Sequence, residues 1–196
     1  AETALGALTT FGGTEDGWLA IQYAIDNFSF AADAAINFIL ATDEDRDNLG
    51  NNSLTVGGIK DELNQLGAVL NAVVDSDLQD GNGNSALGID NTGEAYLADG
   101  SGGFTTSSGG VAVSGDGSTI DDYVNVALDT NGAAWDLNQL RAGGDLSDSF
   151  TQAFLDIKVQ EVIETTPETP SVPAPASILF LGLGVAGLGV LRRRRD

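Results

Sequence analysis

The stretch INFILATDEDRD, residues 36–47, decides the fold class of this chain. Its first six residues form a nearly continuous apolar run, which is typical of a buried strand in a sheet covered on both faces. A second apolar run, AVLNAVV, follows at residues 68–74, and residues 59–66 between the two runs predict a short helix. Helices that alternate with buried strands indicate an α/β layered fold with a mostly parallel sheet.

The flanking segments extend this pattern. Residues 15–28 predict an amphipathic helix because large apolar residues recur there at helical spacing, and residues 120–128 predict another. A last helix carries Phe150, Phe154 and Ile157, with Glu161 near its exposed end. Residues 75–117 are rich in Gly, Asn, Asp and Ser, so we expect a long loop insertion there, with a hairpin at residues 95–98.

The composition excludes several classes of site. The 196 residues include no Cys and no His, which rules out disulfides, zinc ribbons, Cys nucleophiles and Ser-His-Asp triads. The net charge is −21, and outside residues 172–196 there are 28 acidic residues and four basic ones. This acidic body repels phosphate, so we expect no nucleic-acid binding. No segment fixes two carboxylates at a catalytic spacing, and we expect that the chain is not an enzyme.

Thr14 and Asp43 form the first candidate site. A strand that ends in Thr42 and Asp43 places a carboxylate at the carboxyl edge of the sheet, where ligands of open α/β folds bind. Thr14 lies in a Gly-Gly-Thr turn before a helix, so its hydroxyl can face the same edge. Hydroxyl and carboxylate oxygens suit Mg²⁺ or Ca²⁺. The alternative is that Thr14 is a helix N-cap and that the acids after Thr42 form a solvated loop.

The order of three segments, GGTEDGWLAIQYAI, INFILATDEDRD and AVLNAVV, resembles a von Willebrand factor A domain over roughly residues 4–163. The resemblance implies a Rossmann-like fold, a three-layer α/β sandwich. It also implies a metal-ion-dependent adhesion site made of an Asp-x-Ser-x-Ser loop, a Thr and an Asp, of which Thr14 and Asp43 match the last two. No Asp-x-Ser-x-Ser precedes Thr14, so we expect the first strand to be missing, either because the chain is a fragment or because it has diverged.

A second candidate for a cation lies in the segment DSDLQDGNGNSALGID, residues 75–90. Its clustered oxygen donors, Asp75, Asp77, Asp80 and Asn82, could wrap Ca²⁺. An extra residue between Asp77 and Asp80 breaks the spacing of an EF-hand loop. A solvated, turn-rich loop is therefore the alternative.

The end of the chain has three parts after the domain at residues 1–163. Residues 164–175 contain all four prolines and predict an extended linker. Residues 176–191 are uncharged and predict a transmembrane helix. At about 1.5 Å per residue this helix spans ~24 Å of a ~30 Å hydrocarbon core, and flanking residues or local thinning would cover the rest. Residues 192–196, RRRRD, predict a basic cytoplasmic tail.

These parts together resemble the PEP-CTERM sorting signal of Gram-negative bacteria. The residues that carry the resemblance are Val172, Pro173 and Pro175, then the apolar segment, then Arg192, Arg193, Arg194 and Arg195. It implies export, transit through the inner membrane, recognition by an exosortase and removal of the tail. The resemblance also implies delivery to the cell surface or the extracellular matrix.

Two functions fit these features. The first is an exported binding or adhesion module at the cell surface or in the matrix. In it, Mg²⁺ or Ca²⁺ bridges to a carboxylate of an unknown protein or polysaccharide ligand. The alternative is a structural matrix protein with no metal-dependent binding, which the missing Asp-x-Ser-x-Ser motif favours. In both cases we expect exosortase and the membrane to be transient partners.

Overall fold

A mixed six-stranded sheet forms the centre of the fold in the computed structural model, which describes residues 14–31 and 34–165. The helices are α1 (Gly17–Asn27), α2 (Val56–Leu66), α3 (Asn125–Asp129), α4 (Leu137–Arg141) and α5 (Gly144–Thr165), with a 3₁₀ turn at Leu49–Asn51 and a π-helix at Ile120–Val124. The strands are β1 (Ile36–Thr42), β2 (Ala68–Val74), β3 (Ser76–Gln79), β4 (Gly88–Asp90), β5 (Glu94–Ala98), β6 (Phe104–Ser108), β7 (Val111–Gly115) and β8 (Ala133–Asp136).

The order of strands in the main sheet is β1-β2-β8-β4-β5-β6. Strands β1, β2 and β8 run parallel, whereas β4, β5 and β6 are joined antiparallel to β8 and to each other. The α/β class is confirmed. The expectation of a mostly parallel sheet was wrong, because short hairpins link β4, β5 and β6 and permit only antiparallel pairing, and β4 itself runs antiparallel to β8.

Strand β2 shows why helices cover both faces. All seven of its residues are buried, and their side chains alternate between the two faces. Leu70 and Val74 pack into a core with α1, α2 and α3, whereas Val73 packs into a second core with α5. The result is a three-layer arrangement of helices, sheet and helices.

Strand β1 has the predicted position but not the predicted burial. Its register pairs Ile36 with Ala68 in parallel β2. Among the described residues it has no neighbour on its other edge, and Ile39 is 56% exposed. The apolar run was expected to be a strand covered on both faces, and the open edge explains why it is only half buried here.

The segment at residues 75–117 is not a loop insertion. It contains five strands, β3 to β7, of which β3 and β7 form a separate two-stranded antiparallel sheet. Its glycines are turn residues, since Gly83, Gly93 and Gly100 have φ near +80°. Gly88 instead permits a close approach, because a Cβ there would lie 2.5 Å from the Trp135 ring. The glycine-rich composition reflects tight hairpins rather than loop.

Helix α1 is joined to the π-helix by side chains. The Gly17 N–H donates to the Tyr123 hydroxyl at 3.0 Å, and Trp18 Nε1 donates to the Asp122 carbonyl at 2.8 Å. The helix predicted at residues 120–128 is present, with its first part widened to a π-helix. These contacts hold the first turn of α1 against the π-helix. The same turn also packs closely on β1, because a Cβ on Gly17 would lie 2.8 Å from Leu40.

Helix α5 carries the second core through its aromatic side chains. The rings of Phe150 and Phe154 pack edge-on against Trp135, which itself stacks on Tyr96. Glu161 was expected near the exposed end of this helix, but it is buried against the sheet. The helix runs to Thr165 and so includes the first two residues of the expected linker.

None of the helices in residues 14–31 and 34–165 is long and apolar enough to cross a membrane. The transmembrane helix expected at residues 176–191 lies outside the described residues. The same holds for the sorting residues Val172, Pro173 and Pro175, and for the four arginines at residues 192–195.

Candidate functional site

The residues just before α1 meet the carboxyl end of β1. The Thr42 hydroxyl donates a hydrogen bond to the Glu15 carboxylate, and the Glu15 N–H donates to Asp47 Oδ2 at 2.7 Å. Thr14 and Asp43 are the chain neighbours of Glu15 and Thr42, and both are exposed. The two predicted ligand residues therefore lie at the same end of the sheet.

Asp16, not Thr14, is the N-cap of α1. Its side chain accepts from the Leu19 N–H, and also from Arg46 Nε at 3.0 Å and Asn52 Nδ2 at 2.8 Å. Burial on its own would raise the pKa of Asp16, but these hydrogen bonds outweigh it and hold the pKa below its usual range. The N-cap interpretation of Thr14 was wrong, because the helix starts two residues later than Thr14 would require.

Asp43 forms an ion pair with a residue 98 positions further along the chain. Arg141, in the last turn of α4, donates from Nη2 to Asp43 Oδ2 at 2.6 Å. Both side chains are about half exposed, at 49%. The hydrogen bond from Arg141 lowers the pKa of Asp43. Asp43 is therefore ionised at neutral pH, with one oxygen already engaged.

A row of aspartates follows the three parallel strands. Asp43 follows β1, Asp75 follows β2 and Asp136 ends β8. Asn138 links this row to α4, because its Nδ2 donates to Asp75 Oδ1 at 2.6 Å and its N–H donates to Asp136 Oδ1 at 2.8 Å. Burial raises the pKa of Asp136. The sequence interpretation missed Asp136, although its position at the end of the apolar run Ala133–Asp136 was a usable signal.

The surface around Asp43 is acidic. Partial burial and the carboxylates of Glu15, Asp47 and Asp43 raise the pKa of Glu44. All four basic side chains of the described part are in ion pairs: Arg46 with Asp16, Lys60 with Asp129, Arg141 with Asp43, and Lys158 with Glu161. The other carboxylates there have no cationic partner, so this end of the sheet attracts positive charge.

The four residues of the possible calcium loop do not converge on one point. Asp75 accepts from Asn138, and Asp77 accepts from the Ser114 hydroxyl. Asp80 accepts from both the backbone and the side-chain amide of Asn84, from the Asn82 N–H, and from the Ser107 hydroxyl. Both oxygens of the Asp80 carboxylate therefore already accept hydrogen bonds from N–H or O–H groups. Asp80 acts as the fixed centre of a turn between β3 and β4.

Thr14 and Asp43 supply too few oxygen donors to complete the coordination shell of a divalent cation by themselves. Within residues 14–31 and 34–165, no three or more Asp or Glu side chains are grouped so that they could hold a metal ion. Thr14 and one oxygen of Asp43 supply two donors, whereas Ca²⁺ takes 6–8 oxygen ligands and Mg²⁺ takes six. These two residues would hold a cation only with water and with oxygens from a partner.

Asp80→Asn should reduce the loss of stability in acid. Hydrogen bonds from Asn84, Ser107 and Asn82 hold the pKa of Asp80 far below its usual range. The carboxylate therefore stabilises the fold above its unfolded pKa of about 3.9, and this contribution is lost as the pH falls further. We expect Asp80→Asn to lower Tm at pH 7 and to narrow the Tm difference between pH 7 and pH 3. Thermal melts monitored by circular dichroism would measure both.

The control for this experiment is Asp156→Asn, which removes one exposed carboxylate from α5. It should leave both the Tm at pH 7 and the acid shift close to those of the unmodified protein. If Asp80→Asn behaved like this control, Asp80 would not stabilise the turn.

A buried polar network on the α5 side of the sheet was not predicted. Asn71 in β2 donates from Nδ2 to Asn37 and to Glu161, and its Oδ1 accepts from Lys158 Nζ and the Ala133 N–H. Burial lowers the pKa of Lys158, which pairs with Glu161 at 2.6 Å. The signal in the sequence was the one polar residue inside the run AVLNAVV.

Comparison with known proteins gives one match, at the end of the chain. The family model described as the PEP-CTERM protein-sorting motif matches residues 171–195. No curated protein and no solved structure matches the chain significantly. The sorting-signal resemblance is confirmed, and the motif implies an exported protein that contacts an exosortase transiently at the membrane. The von Willebrand A resemblance stays a prediction.

Proposed function

We propose that this exported protein is a non-enzymatic binding module of the cell surface or extracellular matrix. Its ligand-binding surface lies at the carboxyl ends of β1, β2 and β8. The row of Asp43, Asp75 and Asp136 at the ends of three adjacent parallel strands is the observation that carries the proposal. Ligands of α/β sheets bind at this edge.

In this proposal a divalent cation binds at Asp43. Mg²⁺ or Ca²⁺ would compete with Arg141 for the Asp43 carboxylate, with the Thr14 hydroxyl as a second donor and a partner's carboxylate completing the site. The competition is reasonable because Arg141 and Asp43 are half exposed, and an ion pair of this kind contributes at most about 1 kcal/mol.

A second function is favoured by the same ion pair. Arg141 already supplies Asp43 with the positive charge that a cation would otherwise supply. On this reading the protein is a structural matrix component without metal-dependent binding.

Two variants of the full-length chain separate these functions. We expect Asp43→Ala to weaken Mg²⁺ or Ca²⁺ binding by more than about tenfold in calorimetry, because it removes the carboxylate ligand. Arg141→Ala should strengthen binding, because it frees the second oxygen of Asp43. The control, Asp156→Ala, removes an exposed carboxylate on α5 and should change neither.

Opposite effects of the Asp43 and Arg141 variants would support the cation-dependent module. If neither variant differed from the Asp156 control, the structural function would be favoured instead.

A further inference from the structure

A pocket of about 450 Å³ lies on the α5 side of the antiparallel half of the sheet. It is open to solvent and is lined by the β4–β5 turn, β5, β6, the turn before β8 and α5. Gly132 lines the pocket and immediately precedes β8, whereas the row of aspartates follows the opposite end of that strand. The pocket is thus separate from the surface at Asp43, and its volume falls in the range of about 300–1,000 Å³ typical of small-molecule sites.

The inner wall of the pocket is apolar. Tyr96 is buried, its ring meets the Phe104 ring edge-on at 6.1 Å, and Ile157 of α5 closes the wall. The Tyr96 hydroxyl donates to Asp90 Oδ2 at 2.7 Å, which fixes the tyrosine ring. Phe104 is only partly buried. It therefore offers an aromatic surface to a ligand.

The rim carries neutral groups that can donate and accept hydrogen bonds. Asn91 Nδ2 donates to Asn131 Oδ1 at 3.0 Å, and Thr106 and Gln160 lie on the other sides. Asn131 has a φ of +63°, which is uncommon for a residue other than glycine. A ligand with several hydroxyl groups can bond to such a rim from more than one direction.

The charges lining the pocket are negative. Asp90, Glu94 and Glu161 line it, and no basic residue does. Asp90 is occupied by Tyr96 and Thr92, and Glu161 by Lys158 and neighbouring amides. Glu94 is partly buried, and its carboxylate makes no hydrogen bond or ion pair with the described residues. The pocket repels anionic ligands and leaves one carboxylate available for a cationic group.

We propose that this pocket binds an amino sugar that carries a free ammonium group, as a unit of a polysaccharide. The Glu94 carboxylate would pair with the ammonium, the Phe104 ring would lie against the C–H face of the sugar, and the rim amides would bond to the hydroxyls. A linear polyamine would leave the neutral rim groups without partners. An acidic sugar would meet three carboxylates.

The test is a titration of the full-length protein with the β-1,4-linked trimer of glucosamine, followed by calorimetry. We expect saturable binding that weakens with added NaCl, because the main contact is between charges. Glu94→Gln should weaken binding by about tenfold, since it removes a charged hydrogen-bond partner. Phe104→Ala should also weaken it. The fully N-acetylated trimer and spermidine should bind at least about tenfold more weakly than glucosamine trimer.

Two control variants make the result specific. Asp156→Asn removes a carboxylate from the exposed side of α5, and Asp61→Asn removes an exposed one from α2, which packs on the other face of the sheet. Both should bind the glucosamine trimer as the unmodified protein does, whatever the fate of the cation proposal. The inference would be overturned by the absence of saturable binding, by equal binding of the N-acetylated trimer or spermidine, or by full affinity in Glu94→Gln.

Discussion

Asn71→Ala should lower the free energy of unfolding by about 3–5 kcal/mol, which is a large part of the stability of a typical domain. Asn71 is completely buried, in a strand that is itself buried along its whole length. Its side chain joins β1, β8 and α5, so the change removes hydrogen bonds to three elements at once.

The size of the effect follows from what the change leaves behind. The Ala133 N–H would lose its acceptor, which lies at 3.1 Å, and the Asn37 side chain would lose its donor. Each buried polar group left without a partner costs about 1–3 kcal/mol. Lys158 and Glu161 would keep each other but lose the amide that orients them.

Urea unfolding followed by tryptophan fluorescence would measure this change. The matched control is Asn125→Ala, which removes an exposed amide that donates to Asp121 within a helix. That control should shift the free energy of unfolding by no more than about 0.5 kcal/mol. Equal shifts for the two variants would mean that the buried network adds nothing to stability.

The regular elements were predictable where burial imposed a pattern on the sequence. Strand β2 was located to the residue, because a strand covered on both faces reads as an unbroken apolar run. Helix α1 followed from apolar spacing, and α2 was expected at residues 59–66 but begins three residues earlier, at Val56. Strand β1 was also located, but its 56% exposed Ile39 was not foreseen, because its sequence does not reveal that it is an edge.

The hairpins β3 to β7 could not be predicted in the same way. Strand β6 reads FTTSS and only one of its five residues is strongly apolar, so periodicity is lost. The signal lay in the turns, where Gly83, Gly93 and Gly109 take positive φ angles. The high glycine content was interpreted as loop, whereas the spacing of the glycines marks the ends of short strands.

The candidate sites differ in how much of each could be predicted from the sequence. Asp43 was placed correctly at a strand end, because chain order fixes which residue follows a strand. Its partner Arg141 lies 98 residues away, and no local pattern connects the two. The pocket beside Glu94 draws on four separate segments, and only tertiary packing brings them together.

The second large effect concerns the end of the chain. The matched sorting motif covers residues 171–195, which contain the end of the proline-rich linker, the apolar run and the arginines in that order. We expect an exosortase to cut the chain after about Pro175 and so remove the apolar run and the arginines that follow it. Removal would release an acidic protein from the membrane and take the four terminal arginines with it.

Changing the four arginines at residues 192–195 to serine provides a control. This variant keeps the linker and the apolar run but loses the positive charge that holds the tail on the cytoplasmic side. It should accumulate uncleaved in a host that has an exosortase. The unmodified chain should accumulate uncleaved in a host that lacks one.

Intact-mass measurement of the protein exported by a host with an exosortase would show where the mature chain ends. We expect a mature chain that ends near Pro175 and lacks residues 192–195. A mature exported form that still carries Arg192, Arg193, Arg194 and Arg195 would contradict this expectation.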